Sequence, residues 1–179
     1  MSDVVANAIL TENRRYRYTL TRVWDESGPR ICWVMLNPST ADAYVDDPTI
    51  RKCMKFSRRM GAGGLIVVNL YAFRATDPDD LHDAEDPVGP DNVKYIEMAL
   101  AQTSCAIAAW GEGIPKIRSG MKLCIDRLFE WGYTRWHCLG VNKSGMPKHP
   151  LYIRDDAPLV QWHGYNGMVK ATSTERTKE

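Results

Sequence analysis

The stretch ICWVMLNPSTAD, residues 31–42, decides the fold prediction. Its first half, residues 31–36, is an unbroken apolar run, which is typical of a short strand buried on both faces of a sheet. The chain then changes abruptly to Asn, Pro and small polar residues. Other apolar runs change in the same way at IVVNL (66–70) and AAWGEG (108–113), and KSGMPKHPLY (143–152) follows a further strand-like run. We therefore expect parallel strands that end at a common edge, where open α/β sheets bind ligands.

Helical patterns separate these strands. Asp47 is a good N-cap with Pro48 at the first helical position, which predicts a helix that ends at Gly61. Further helices are predicted over residues 91–103 and 117–131, where apolar residues recur at helical spacing. Strands that alternate with helices indicate a three-layer α/β/α fold around a mainly parallel sheet of about four strands. An alternating strand at residues 16–24 extends that sheet.

Length and composition indicate one domain. The chain has 179 residues, of which 44% are hydrophobic and 25% are charged, the profile of an ordinary globular protein. We expect a single α/β domain over residues 1–170, a disordered polar tail over residues 171–179, and a monomer. No apolar run has the length of a membrane helix, and the N-terminus has no signal pattern, so we expect no membrane partner and a cytoplasmic location. The five scattered cysteines predict buried reduced thiols rather than a metal site.

The four segments also resemble a known family. GLIVVNL (64–70) resembles the strand of uracil-DNA glycosylases that ends in the Asn reading the base, and AIAAWGEGIPK (106–116) resembles their Leu-Leu-Trp-Gly segment. LNPS stands where these enzymes have their water-activating loop, and HPLY resembles their His-Pro-Ser-Pro loop. The whole chain resembles more closely an uncharacterised bacterial and phage family, domain of unknown function 1643, which has the LNPSTAD and HPLY motifs nearly verbatim.

The glycosylase resemblance implies catalytic roles for Asn37 and His149. Asn37 matches the residue that positions water, and His149 matches the histidine that donates a hydrogen bond to the departing base. An asparagine side chain is not a base, which points toward the weaker asparagine branch of these enzymes or a different reaction. Nearby carboxylates can supply a base, and Asp42 is the first candidate, with Asp46 and Asp47 as the other two. The structural alternatives are a turn or helix cap for Asp42 and a loop-stapling histidine for His149.

Substrate-binding roles follow from the same strand ends. The Asn69 amide offers one acceptor and two donors, which suits the edge of a base, although it can also close the strand by bonding loop backbone. Tyr71 can stack on a base or belong to the core. Gly111 allows a backbone to approach a ligand closely. The complete predicted set is Pro38, Ser39, Asn69, Tyr71, Gly111 and Ser144.

The charge of the chain gives weaker guidance about partners. The formal net charge is +1, which does not by itself indicate a nucleic-acid binder. Two basic clusters, within residues 14–22 and residues 52–59, are interpreted as solvated faces. A basic rim is still sufficient for phosphate contacts. The predicted DNA contacts are Arg51, Arg74, Lys143 and Lys148, and the resemblance assigns Leu151 and Tyr152 to the wedge that fills the vacated base stack.

Several enzyme classes lack their signatures. The chain has no Walker or Rossmann glycine motif in the correct order, no G-x-S-x-G elbow and no zinc-deaminase or HExxH pattern. We expect no cofactor and no metal. The leading prediction is a DNA glycosylase-like hydrolase that cleaves the N-glycosidic bond of a damaged or modified base, with DNA or a nucleotide as the partner. The alternatives are an enzyme of a phage or bacterial DNA-modification or nucleotide-processing pathway, and a non-catalytic base-sensing module.

Overall fold

The computed structural model describes residues 4–39, 41, 45–112, 125–126, 128 and 136–164. Seven strands, two α-helices and two short 3-10 turns lie entirely within these residues, and residues 125, 126 and 128 are helical as well. In chain order the complete elements are β1 (Val5–Leu10), β2 (Arg17–Val23), β3 (Arg30–Met35), α1 (Pro48–Arg59), β4 (Gly64–Asn69), the turn Pro78–His82, α2 (Asn92–Ala101), β5 (Cys105–Ala108), β6 (Trp136–Cys138), the turn Pro150–Tyr152 and β7 (Val160–Gln161).

All seven strands belong to one mixed sheet with the order β1-β2-β4-β3-β5-β6-β7. The pairings β4–β3, β3–β5 and β5–β6 are parallel, whereas β1–β2, β2–β4 and β6–β7 are antiparallel. The predicted α/β class is confirmed. The predicted sheet size and its mainly parallel character are wrong, because antiparallel strands extend the sheet on both sides. β1 is mostly exposed and β7 has two exposed residues, so neither carries the buried apolar pattern by which the inner strands were found.

The two helices pack on opposite faces of the sheet. Side chains alternate across the strands, so successive residues of β3 and β4 enter different apolar clusters. One cluster joins α1 to the sheet through Trp33, Ile50, Cys53, Phe56, Leu65 and Val67. The other joins α2 to the sheet through Cys32, Val34, Val68, Ile96, Ala99 and Leu100.

Local signals placed α1 and α2 correctly. The Asp47 side chain caps α1 by accepting a hydrogen bond from the backbone N–H of Ile50 at 2.8 Å, and Pro48 occupies the first turn. α2 spans Asn92–Ala101, inside the predicted range. Most of the helix predicted over residues 117–131, together with the tail at residues 171–179, lies outside the described residues. No helix in the described part of the chain is long and apolar enough to cross a bilayer.

The register of the parallel strands sets the position of the site. Met35 at the end of β3 pairs with Asn69 at the end of β4, and Val34 pairs with Ala108 at the end of β5. Because these strands run in the same direction, the segments that follow them leave the sheet at one edge. Asn37, Asn69 and Gly111 therefore start from neighbouring positions on that edge.

Candidate functional site

A small polar pocket lies where β3 and β4 end and α1 begins. Its volume is about 190 Å³. The polar side chains on its wall come from five parts of the chain: β2, the loop after β3, the N-cap of α1, the end of β4 and the segment before the second 3-10 turn. The main ones are Arg17, Asn37, Ser39, Asp47, Asn69 and His149. Asn37, Asn69 and His149 therefore line one pocket, whereas Gly111, the fourth residue expected in the same crevice, does not line it.

The Asn37 side chain is held in one orientation by backbone oxygens. Its Nδ2 donates to the carbonyl oxygen of Ala75 at 2.9 Å and to that of Pro38 at 3.2 Å. Two carbonyl acceptors on one side require the amide nitrogen there, so Oδ1 must face the other way. No hydrogen bond to Oδ1 comes from within the described chain, which leaves that oxygen to accept a hydrogen bond from water or a ligand.

Asn69 is the most unusual polar residue in the pocket. Its side chain is 1% exposed, and Nδ2 has no hydrogen-bond partner in the described part of the chain. A buried donor without a partner costs about 1–3 kcal/mol. The alternative role, closing the strand by bonding loop backbone, belongs instead to Asn92, whose Nδ2 donates to the carbonyl oxygens of Asn69 at 2.9 Å and Leu70 at 3.2 Å.

His149 stands at the junction of this pocket and a second one. Its Nδ1 accepts a long hydrogen bond, 3.4 Å, from the backbone N–H of Leu151. The neutral ring therefore carries its proton on Nε2. Burial lowers the pKa of His149 below the ordinary value of 6.5, an effect that the nearby Asp47 carboxylate partly offsets. At neutral pH this histidine is consequently an uncharged donor, although the contact with Leu151 also gives it the predicted stapling role.

Two pocket residues escaped the sequence prediction or were ranked low in it. Arg17 was assigned to a solvated basic face but is only 2% exposed, and its Nη1 donates to the carbonyl oxygen of Ala41 at 2.6 Å. The alternation in β2 groups Arg17 with Thr19 and Thr21 on the polar face, so no local pattern signalled its burial. Asp47 was predicted as a helix cap and one of three possible bases, and it both caps α1 and lines the pocket. Asp42, which was preferred to it, lies outside the described residues.

The second pocket, about 390 Å³, adjoins the first at His149. Gly111 lines it with φ +74°, a backbone conformation that favours glycine, and a Cβ at this position would lie 3.6 Å from the His149 Cβ. Glu112, Lys148 and Tyr152 are also on its wall. Ser144 was predicted to bind substrate, but its hydroxyl is within 2.8 Å of both Glu112 carboxylate oxygens. That hydroxyl is occupied by a protein acceptor.

Two residues predicted to contact substrate, Tyr71 and Pro38, are buried and do not line the pocket. Tyr71 is 1% exposed and belongs to the apolar cluster beneath α2, so it is a core residue and not a stacking platform. Pro38 is buried, and its carbonyl oxygen accepts a hydrogen bond from the Ala75 N–H at 3.0 Å, so it fastens the loop instead of lining the pocket. Ser39, by contrast, does line the first pocket.

The predicted DNA contacts differ in their availability. Lys143 and Lys148 are exposed, Leu151 is 37% exposed, and Tyr152 is 84% exposed with its ring centroid 5.9 Å from that of His149. The two arginines are partly engaged. Arg51 donates to the carbonyl oxygen of Asp46, and the half-buried Arg74 donates to that of Arg14 at 3.3 Å. The lysines and Tyr152 are therefore the more accessible members of this set.

The basic face of α1 is not simply solvated. Lys55 forms an ion pair with Asp155 at 2.5 Å, Lys52 reaches the same carboxylate at 3.3 Å, and Arg59 donates to the Asp155 carbonyl oxygen. Arg58 stacks on the Trp24 ring at 4.2 Å from its centroid. Lys52, Lys55 and Arg59 thus hold the segment after the second 3-10 turn, and with it the His149 region, against α1.

Comparison with known proteins agrees with one part of the sequence interpretation. The model of one family, described as a protein of unknown function (DUF1643), matches residues 17–151. The chain belongs to that family. The matched range contains every residue that lines the first pocket, so the pocket is built entirely from the family's own segment. Neither a search of curated proteins nor a search of solved structures found a match. Among the described residues, no group of three or more His, Cys, Asp or Glu side chains is placed to hold a metal ion.

Proposed function

We propose that this protein recognises a nucleobase in the first pocket and hydrolyses the N-glycosidic bond that joins the base to its sugar. The observation that carries the proposal is the convergence of Asn37, Asn69 and His149 on one polar pocket. A glycosylase must hold a base, place a water against C1′ and stabilise the negative charge of the departing base. These three side chains offer one group for each task.

The size of the pocket supports a small ligand. At about 190 Å³ it is smaller than the roughly 300–1,000 Å³ of pockets that hold drug-sized ligands. A single base ring is a suitable occupant, with the sugar and phosphate left outside. The unsatisfied Nδ2 of Asn69 supports a carbonyl-bearing base, because an acceptor brought in by the ligand recovers the energy of that buried donor.

The electrostatics of His149 support its role as a donor to the leaving group. An uncharged imidazole with its proton on Nε2 donates a hydrogen bond that strengthens as charge develops on the base. A donor of this kind typically contributes about 10²–10³ in rate. Asn37 would use its available Oδ1 to orient the attacking water, because its Nδ2 is fixed on two carbonyl oxygens.

We further propose DNA as the source of the base and a glycosylase-like three-layer arrangement of the fold. The packing of α1 and α2 on opposite faces supports the layered arrangement. Lys148 and Tyr152 on the wall of the second pocket support a nucleic-acid partner, since a cation suits phosphate and an exposed ring suits stacking.

The test is single-turnover base release from oligonucleotides that carry uracil, hypoxanthine, hydroxymethyluracil or mismatches, read by alkaline cleavage of the abasic product. We expect release from at least one substrate and a loss of about 10²–10³ in rate for His149→Ala with little change in affinity. A protein that neither binds nor cleaves any of these substrates refutes the proposal and favours a nucleotide or DNA-modification substrate.

One observation favours a second function, a base-sensing module without turnover. Asn37 occupies the predicted water-activating position, and its side chain is not a base. In that case the wild type binds one oligonucleotide of the panel selectively but releases no base from it.

A further inference from the structure

From the geometry of the pocket we infer that Asp47 is the catalytic base of this site, taking the proton of the attacking water that Asn37 orients. This inference rests on the proposed function and assigns a residue to the step for which Asn37 is unsuited. Three observations carry it: the position of Asp47 on the pocket wall, the hydrogen bonding of its carboxylate, and the engagement of Asp46, the neighbouring alternative.

Asp47 shares the pocket with all three proposed site residues. It enters from the start of α1, whereas Asn37 and Asn69 enter from the ends of β3 and β4. The charged and titratable groups on the pocket wall are Arg17 from β2, Asp47 itself and His149. Among the described residues that line the pocket, Asp47 is the carboxylate, so its side chain is the candidate for accepting a proton from water.

The N-cap hydrogen bond uses one oxygen of the Asp47 carboxylate and leaves the other available. Oδ1 accepts the 2.8 Å hydrogen bond from the Ile50 N–H, which fixes the side chain at the helix terminus. Within the described residues no other hydrogen bond or ion pair reaches the carboxylate, so Oδ2 keeps its lone pairs for water. Asp46 differs, because its Oδ1 binds the buried Arg22 guanidinium through Nε and Nη2, each at 2.8 Å.

Asp47 and His149 line the same pocket of about 190 Å³, which places the two side chains within reach of one small ligand. A base and a leaving-group donor must stand on either side of the bond that breaks. In the proposed step the water oxygen bonds to C1′ and its proton passes to Asp47 Oδ2. The C1′–N bond breaks, and its electron pair stays on the base nitrogen. The negative charge is stabilised by the His149 Nε2–H, and the base then takes the proton back from Asp47, so that water is added across the bond.

The test uses Asp47→Asn, with Asp47→Ser as a second variant. Asn and Ser are both good N-caps, so each keeps the hydrogen bond to the Ile50 N–H while removing the carboxylate. We expect both variants to melt like wild type and to bind the substrate oligonucleotide with unchanged Kd. The single-turnover rate of base release should fall by about 10²–10⁴, the usual contribution of a positioned acid or base.

The outcomes separate this inference from the proposed function. A wild type that releases base, together with variants that release it equally fast, overturns the role of Asp47 and leaves the glycosylase proposal standing. A loss that appears in Kd rather than in the rate also overturns it, because a base acts on the chemical step. A wild type that releases no base overturns both.

Discussion

The structure predicts different effects on stability for Asn→Ala substitutions at two buried positions, Asn69 and Asn92. The comparison tests whether Asn69 is a binding residue. Asn69 and Asn92 are 1% and 0% exposed. The Asn92 Nδ2 donates two hydrogen bonds to backbone carbonyl oxygens, whereas the Asn69 Nδ2 has no partner among the described residues. The perturbation is the same in both cases, a change of Asn to Ala.

The structure gives the expected magnitudes. Asn92→Ala removes two hydrogen bonds worth about 0.5–1.5 kcal/mol each, hence at most about 1–3 kcal/mol together, because loss of the buried Oδ1, which has no partner among the described residues, offsets part of the cost. For a chain of this length each kcal/mol lowers Tm by roughly 2–4 °C, so a fall of at most about 2–12 °C is expected. Asn69→Ala removes a donor that itself costs about 1–3 kcal/mol, which offsets the packing that is lost. Its Tm should stay within about 2–4 °C of wild type.

The assay is thermal unfolding by circular dichroism for wild type and both variants, with base release or binding measured alongside. We expect Asn92→Ala to lower Tm with little change in base selectivity, and Asn69→Ala to retain Tm while losing selectivity. A drop in Tm for Asn69→Ala as large as that for Asn92→Ala refutes the reasoning, since it assigns Asn69 to the framework of the fold.

Three further predictions follow from the charged groups. Burial lowers the pKa of His149 in the folded protein, so folding favours the neutral ring. This contribution to stability is complete above about pH 6.5 and is lost as pH falls through the folded-state pKa. His149→Gln should therefore flatten the acid dependence of Tm. Asp46→Asn removes the carboxylate that pairs with the buried Arg22, and it should cost less in urea unfolding than the roughly 3–5 kcal/mol of a fully buried pair, because Asp46 is 27% exposed and Arg22 also donates to the carbonyl oxygens of Asn7 and Thr21. Lys143→Ala and Lys148→Ala should each lower the log–log salt slope of DNA binding by roughly 0.7–0.9 if each lysine contacts one phosphate.

Matched controls sharpen these predictions. The ion pair between Arg154 and Asp156 is exposed at 87% and 70%, so Asp156→Asn should leave the unfolding free energy nearly unchanged. If Asp46→Asn and Asp156→Asn lower the unfolding free energy equally, burial of the Arg22 ion pair does not determine its contribution to stability. His163 is exposed, so His163→Gln should preserve the acid dependence that His149→Gln removes. Binding that is indifferent to salt contradicts the phosphate contacts.

Sequence reasoning succeeded where the determining signals are local. The N-cap, the proline of the first turn and the helical spacing of apolar residues all lie within α1, and they placed it correctly. The ends of β3, β4 and β5 were visible as abrupt changes of composition. Their convergence followed from one topological rule, that parallel strands share an edge.

The failures come from contacts that no local pattern contains. Arg22 looked like a surface residue, but Asp46, 24 positions away, neutralises it and allows it to be buried. β1 was missed because an edge strand is held by backbone pairing with β2 and needs no buried apolar face. The engagement of Ser144 by Glu112 likewise depends on a contact 32 positions apart.

The backbone around Asn69 explains why its side chain is available for a ligand. Where a buried strand ends, its last carbonyl groups need donors, and a polar residue at the strand end commonly supplies its own amide for that purpose. Here Asn92 supplies the donors from α2, and Leu70 N–H already bonds to the Met35 carbonyl oxygen. The Asn69 side chain is therefore not needed to hydrogen-bond the backbone carbonyl groups at the end of β4. A buried amide without such a task costs stability, and a ligand acceptor in the adjoining pocket is the compensation that the geometry offers.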